Sequence, residues 1–164
     1  ILNFARGELV NSGDLLKALE SGKVACYVTD FPTDDVIGAE NVVALPHLGA
    51  STPESEENCA YMAAVQMKEF LEKGNIKNSV NYPNCDAGTC VDEGRLTINH
   101  KNIPNMISQF TKVLGDAGVN ISNMTNKSKG DLAYTILDVS TPISKEVAKS
   151  LKEISGVYKV RIVK

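Results

Sequence analysis

The apolar and polar positions divide the chain into two regimes. Up to residue 52 the apolar residues come in short runs at Ile1–Phe4, Val24–Thr29 and Val42–Leu45, which read as buried strands. Between the first two, the apolar positions of Asp14–Glu20 share one helical face. Ser12 or Asp14 is placed to cap that helix and Gly22 to close it. Ala5-Arg6-Gly7 ends the first strand, and a glycine there suits a turn with unusual backbone angles. Asp30-Phe31-Pro32 breaks the second strand, and the acidic loop Thr33–Glu40 leads back to the third. Strand, helix, strand, loop, strand is the end of a parallel sheet in an α/β fold.

Residues 53–73 predict the longest helix, with Pro53 in its first turn, Glu54, Glu56 and Glu57 at the positive end of its dipole, and Gly74 beyond its end. Tyr61, Ala64, Val65, Met67, Phe70 and Leu71 form a wide apolar stripe, expected to pack into a core. Residues 75–93, rich in Asn, Gly and Pro, read as a linker. Residues 94–164 then alternate twice between strand and helix. Arg95–His100, Val119–Met124, Ala133–Val139 and Val157–Val163 have strand character. A helix beginning at Pro104 buries Ile107, Phe110, Val113, Leu114 and Ala117, and a second, capped by Ser144, buries Val147, Ala148, Leu151 and Ile154. That order predicts a ferredoxin-like βαββαβ domain. The expected organisation is 1–52, a connecting helix 53–74, a linker 75–93 and a domain 94–164.

Composition narrows the class. The chain has 164 residues, 43% apolar, with a net charge of −3. No block of Lys and Arg marks a nucleic-acid footprint, and no apolar run reaches the ~18 residues of a membrane span. Four cysteines without a signal segment suggest a reducing, cytoplasmic setting. Cys85 and Cys90 have no second Cys/His pair nearby to complete a zinc site, so free thiols and no metal are expected.

The chemistry gathers around Val42–Thr52. Val42-Val43-Ala44-Leu45 is an apolar run, Pro46 ends it, and His47 follows at once. A titratable imidazole thus sits at the carboxyl end of a strand, where open α/β sheets place their ligands. Ser51, Thr52 and Pro53 then start the long helix. Read alone, His47 could be a solvated loop residue, Arg6 a surface ion-pair partner and Asp30 a turn residue.

With these motifs in their order and spacing, residues 1–60 resemble the last part of the nucleotide-binding domain of D-2-hydroxyacid dehydrogenases, a doubly wound, Rossmann-like sheet. The remainder resembles the regulatory tail, an ACT domain, of a serine-inhibited member of that family. The resemblance implies an NAD-dependent oxidation of a small 2-hydroxy acid. His47 would take the hydroxyl proton and Arg6 would grip the substrate carboxylate. Asp30 would contact the nicotinamide amide, and Phe4, Ala5, Arg6, His47, Leu48, Gly49 and Ala50 would flank the cofactor. The family sets a glutamate before a proline to orient the histidine. Here Asp34-Asp35 stands in that place, one methylene shorter and with no proline after it, so either Asp34 is the substitute partner of His47 or the orienting acid is absent. In the tail, His100, Asn102 and Asn120 match the family's effector ligands, held between paired domains of a homo-oligomer, with L-serine as the effector. Asn105 stands where ACT domains usually have glycine, and Asn102 could equally be a helix cap. No glycine-rich dinucleotide fingerprint occurs in these residues, so the chain reads as part of a larger molecule and inactive by itself. Two other readings stay open: the same scaffold on a different 2-hydroxy acid, and a non-catalytic amino-acid-binding module.

Overall fold

The structure is a computed structural model that describes all residues, 1–164. It divides into two compact units, Ile1–Glu57 and Asn58–Lys164, each with its own core.

In the first unit, β1 (Leu2–Asn3), β2 (Tyr27–Thr29) and β3 (Val42–Ala44) form a parallel sheet in the order β1-β2-β3. Leu2 lies opposite Val28, and Val28 opposite Val43. Helix α1 (Ser12–Glu20) buries Leu15 and Leu19 against Tyr27 and Val36. Its cap is Asn11, whose side chain accepts from the Asp14 amide, rather than Ser12 or Asp14. Asn has the same short acceptor as those residues and stands one position earlier. The second strand is shorter than its apolar run, because the Val24 amide bonds to Ala18 and closes the helix end instead. Gly7 is not among the glycines with positive φ, so unusual angles are not what it supplies. A Cβ there would stand 3.3 Å from the Phe31 carbonyl oxygen, and close approach of two turns is what requires the missing side chain.

Helix α2 (Pro53–Lys68) starts on the Thr52 hydroxyl, which accepts from the Ser55 amide. It continues as a π-helical turn, Glu69–Lys73, and stops at Gly74 with φ 77°. Of the apolar stripe along it, Phe70 packs on the cluster of Ile76, Cys85, Tyr134 and Ile136, and the rest is left uncovered. No residue of α2 is buried, and Tyr61, Met67 and Leu71 are well over half exposed. Periodicity identifies a face that prefers cover, but it does not supply the covering surface.

The second unit holds a four-stranded antiparallel sheet of β4 (Gly94–Lys101), β5 (Ile121–Lys129), β6 (Leu132–Val139) and β7 (Val157–Ile162), in the order β5-β6-β4-β7. With α3 (Met106–Asp116) and α4 (Lys145–Lys152) it makes the βαββαβ arrangement. Leu96, Ile98, Leu137 and Val139 face the helices, where they meet Phe110, Leu114 and Leu151, all essentially without solvent exposure. The opposite face is covered as well. Ile76 and Cys85 pair across a bridge and pack on Tyr134 and Ile136. The expected linker is therefore a docked segment. Its clasp is Arg95, a fully buried guanidinium that donates to both carboxylate oxygens of Asp138 and to the carbonyls of Lys73, Ala87 and Gly88.

Candidate functional site

Arg6, Asp30 and His47 lie just past the carboxyl ends of β1, β2 and β3, three adjacent parallel strands. Sheet geometry alone thus brings residues far apart in sequence to one edge. Local chemistry then fixes each. The buried Asn3 side chain donates to the Arg6 carbonyl at 2.9 Å and accepts from the Ala5 amide at 3.2 Å. This braces the turn that presents Arg6. The Thr29 hydroxyl accepts from the Phe31 amide and so orients the turn after β2.

His47 Nδ1 lies 2.8 Å from Asp30 Oδ2, with Asp30 mostly buried and His47 half exposed. A carboxylate only accepts, so Nδ1 carries the proton and donates it. The Nε2 lone pair then faces outward, free to accept another proton. Asp34 does not fill this role. It lies exposed in the loop before Val36 and carries no hydrogen bond to His47. The carboxylate directly after β2 is the one within reach of the ring.

Phe31 completes the group. Its ring centroid is 4.2 Å from the His47 ring and 5.3 Å from the Arg6 guanidinium carbon. The imidazole and the guanidinium therefore share one aromatic neighbour, with the cation over a π face. The arrangement places a proton acceptor and a forked cation where one small carboxylic acid can meet both. Asp30 Oδ1 is a buried acceptor without a partner inside the protein. A ligand N–H is what such an atom requires, and an amide of a nicotinamide fits. Phe4 and Leu48, each more than half exposed beside these turns, offer apolar surface to a ring. Sequence reasoning passed over Asn3 and Phe31. A polar residue inside a short apolar strand, and an aromatic directly after the candidate aspartate, were the available signals.

The candidate effector residues separate into two places. His100 and Asn102 line a cavity of about 500 Å³ together with Asn105, Ser108, Thr111 and Asn126. Asn120 is not part of it. Ile121 pairs with Val139, which also faces Gly94, whereas His100 pairs with Ala133 at the other end of the sheet. The asparagine that β5 brings to His100 is Asn126. His100 itself is buried, and both ring nitrogens are engaged, Nδ1 with the Lys101 carbonyl and Nε2 with the Thr135 hydroxyl. Asn105 adopts the left-handed conformation, φ 67°, which explains why glycine suits the position and why asparagine is tolerated there.

Residues 1–49 match the family described as D-isomer specific 2-hydroxyacid dehydrogenase, NAD binding domain. The D-3-phosphoglycerate dehydrogenase of Haemophilus influenzae is 28% identical over 99% of this chain and 42% of its own length. The chain spans about two fifths of the curated relatives it matches. Among solved structures, a glyoxylate reductase from Paecilomyes thermophila shares 30% identity over 49% of this chain and 26% of its own, with a TM-score of 0.44. The ACT domain of a GTP pyrophosphokinase from Chlorobium tepidum is 18% identical, covering 42% of this chain and 94% of its own, with a TM-score of 0.37. Over nearly all of its length the chain is therefore related to D-3-phosphoglycerate dehydrogenases, and its first 49 residues match the NAD-binding domain of the D-isomer specific 2-hydroxyacid dehydrogenases.

Proposed function

We propose that this chain is part of an NAD-dependent D-3-phosphoglycerate dehydrogenase. It would oxidise 3-phospho-D-glycerate to 3-phosphohydroxypyruvate on the way to L-serine, in the cytoplasm. One observation carries the reading: Arg6, Asp30 and His47 converge on one sheet edge, with the imidazole held by Asp30 and sharing Phe31 with the guanidinium.

Oxidation of a secondary alcohol separates a proton from oxygen and a hydride from carbon. His47 Nε2 receives the proton, and Asp30 stabilises the imidazolium that results. Arg6 pairs with the substrate carboxylate and fixes which face of the carbon is offered. Asp30, Phe4 and the Leu48–Ala50 turn would hold the nicotinamide end of NAD. When bound, NAD supplies the hydride acceptor.

Residues 94–164 are the regulatory part in this reading. The cavity beside His100 takes a small amino acid, L-serine, and Asn120 would complete a site only across paired copies, because within one chain it lies at the far end of the sheet.

The test is steady-state NADH formation by the whole protein carrying this chain, with 3-phospho-D-glycerate and, separately, D-lactate and glyoxylate's reduced form, glycolate. Turnover of the phosphorylated acid, lost by several orders of magnitude in His47→Asn, supports the proposal. Turnover of an unphosphorylated acid alone would reassign the substrate. No NAD-dependent turnover of any would leave the amino-acid-binding reading.

A further inference from the structure

The cavity at the start of α3 contains one side chain whose charge can change. Of the residues that line it, only His100 titrates, and the others are neutral amides, hydroxyls and apolar groups. His100 sits on β4, Phe110 of α3 meets its ring edge-on at 5.0 Å, and Thr135 on β6 holds its Nε2. No charged side chain is hydrogen-bonded or ion-paired to it; Lys101 contributes only its backbone carbonyl.

That carbonyl settles the Nδ1 proton. A carbonyl only accepts, so Nδ1–H donates at 2.8 Å in every protonation state. Any change of charge must occur at Nε2. Nε2 lies 2.9 Å from the Thr135 hydroxyl, and the same hydroxyl donates to the Asn126 Oδ1 at 2.8 Å. A hydroxyl has a single proton to give, so the three groups are tied together.

With His100 neutral, the Thr135 hydroxyl donates to Nε2 and must accept from its other neighbour. Asn126 then turns its NH₂ inward and its oxygen toward the cavity. With His100 protonated, Nε2–H donates to Thr135, which donates onward to the Asn126 oxygen. The NH₂ then faces the cavity. Asn126 is exposed, so rotation of its amide meets no packing barrier.

We infer that Asn126 is a specificity-determining contact of this cavity, and that the buried His100–Thr135 relay sets whether it offers donors or an acceptor to a ligand. Protonated His100 presents donors and suits a carboxylate. Neutral His100 presents an acceptor and disfavours one. A ligand bound through its carboxylate is therefore taken up with a proton, and its affinity falls by up to about tenfold per pH unit above the His100 midpoint. The ligand statement rests on the effector reading above, whereas the relay itself does not.

Two measurements on the 164-residue chain separate them. In the first, without ligand, the His100 ring nitrogens and the Asn126 side-chain amide are followed by NMR from pH 5 to 8. Nδ1 should stay protonated throughout, and the Asn126 amide should move with the Nε2 midpoint. In Thr135→Val, close in size to threonine, Asn126 should cease to follow His100. Should that variant fail to fold, Asn126→Ala at the exposed end is expected to lower the His100 midpoint, because the protonated state loses its terminal acceptor. An Asn126 signal that stays flat through the His100 titration overturns the relay. So does an Asn126 signal that still tracks His100 in Thr135→Val, or a midpoint unmoved in Asn126→Ala. In the second, L-serine is titrated calorimetrically at pH 6 and pH 8 in buffers of different ionisation enthalpy. Proton uptake that vanishes in Asn126→Ala supports the contact. Binding without proton uptake overturns the contact, and absence of binding overturns the effector reading while the first measurement still judges the relay.

Discussion

Removing the Arg95 guanidinium should undo the docking of residues 73–93 on the sheet. Arg95 has five N–H donors and each finds an acceptor: two on Asp138 and one each on Lys73, Ala87 and Gly88. The side chain is 0% exposed and that of Asp138 is 6% exposed. Arg95→Met would leave the Lys73 and Ala87 carbonyls without donors, and the buried Asp138 carboxylate with only a long contact from Asn123 at 3.5 Å. Breaking one side of such a pair costs about 3–5 kcal/mol. Arg95→Met/Asp138→Leu should lose less than the two single changes together, because neither charge is then stranded. The pair also carries a pH signature. Burial would raise the Asp138 carboxyl, but the hydrogen bonds and the charge of Arg95, with smaller help from Asn123 and Cys90, together outweigh it and hold the group below its ordinary value. A lowered folded-state value stabilises at pH above the unfolded value, about 4, and that stability is lost as pH falls through the folded one. Urea unfolding at pH 7 and pH 3, read residue by residue by NMR, reports the Asn58–Lys164 unit separately. A loss under about 1 kcal/mol in Arg95→Met would refute the clasp. So would an acid-side loss that persists unchanged in Asp138→Asn.

Three further outcomes are expected. Gly74→Ala should destabilise the second unit by more than the ~1–2 kcal/mol of a left-handed conformation, because its Cβ would stand 2.6 Å from a Thr97 methyl; an unchanged midpoint in urea would refute this. Cys85 is buried and its thiol is pushed up to about 11 by that burial, so iodoacetamide at pH 8 should label exposed Cys59 and spare Cys85, as read by peptide mass spectrometry. Phe31→Leu keeps the apolar volume but removes the face shared by Arg6 and His47. In the whole enzyme it should raise KM and lower kcat together by about tenfold, the cost of misplacing a catalytic pair, and unchanged kinetics would dismiss Phe31 as a positioning residue.

The architecture was legible where periodicity and punctuation agree. The strand runs and Ser144 as the cap of α4 follow from local chemistry, and the βαββαβ order follows from their succession. What depends on distant partners was not legible. The stripe on α2 announces an apolar face, yet no residue of it is buried. Residues 75–93 look like a spacer by composition, yet Arg95, one residue in an alternating strand, anchors them. At the site, the residue types were readable but the pairing was not. Asp30 and Asp34 are four positions apart, and only the turn after β2 decides which reaches His47. Asn120 just precedes β5 and Asn126 lies within it, and the sheet register decides which meets His100.

The pairing of Asp30 with His47 is tested most directly by the pH dependence of kcat/KM in the whole enzyme, compared with Asp30→Asn and Asp34→Asn. The expected result is activity down at least a hundredfold in Asp30→Asn, because the imidazolium has lost its acceptor and the tautomer is no longer fixed. Asp34→Asn should superimpose on the unaltered enzyme. A profile moved by Asp34→Asn and untouched by Asp30→Asn would contradict the assignment.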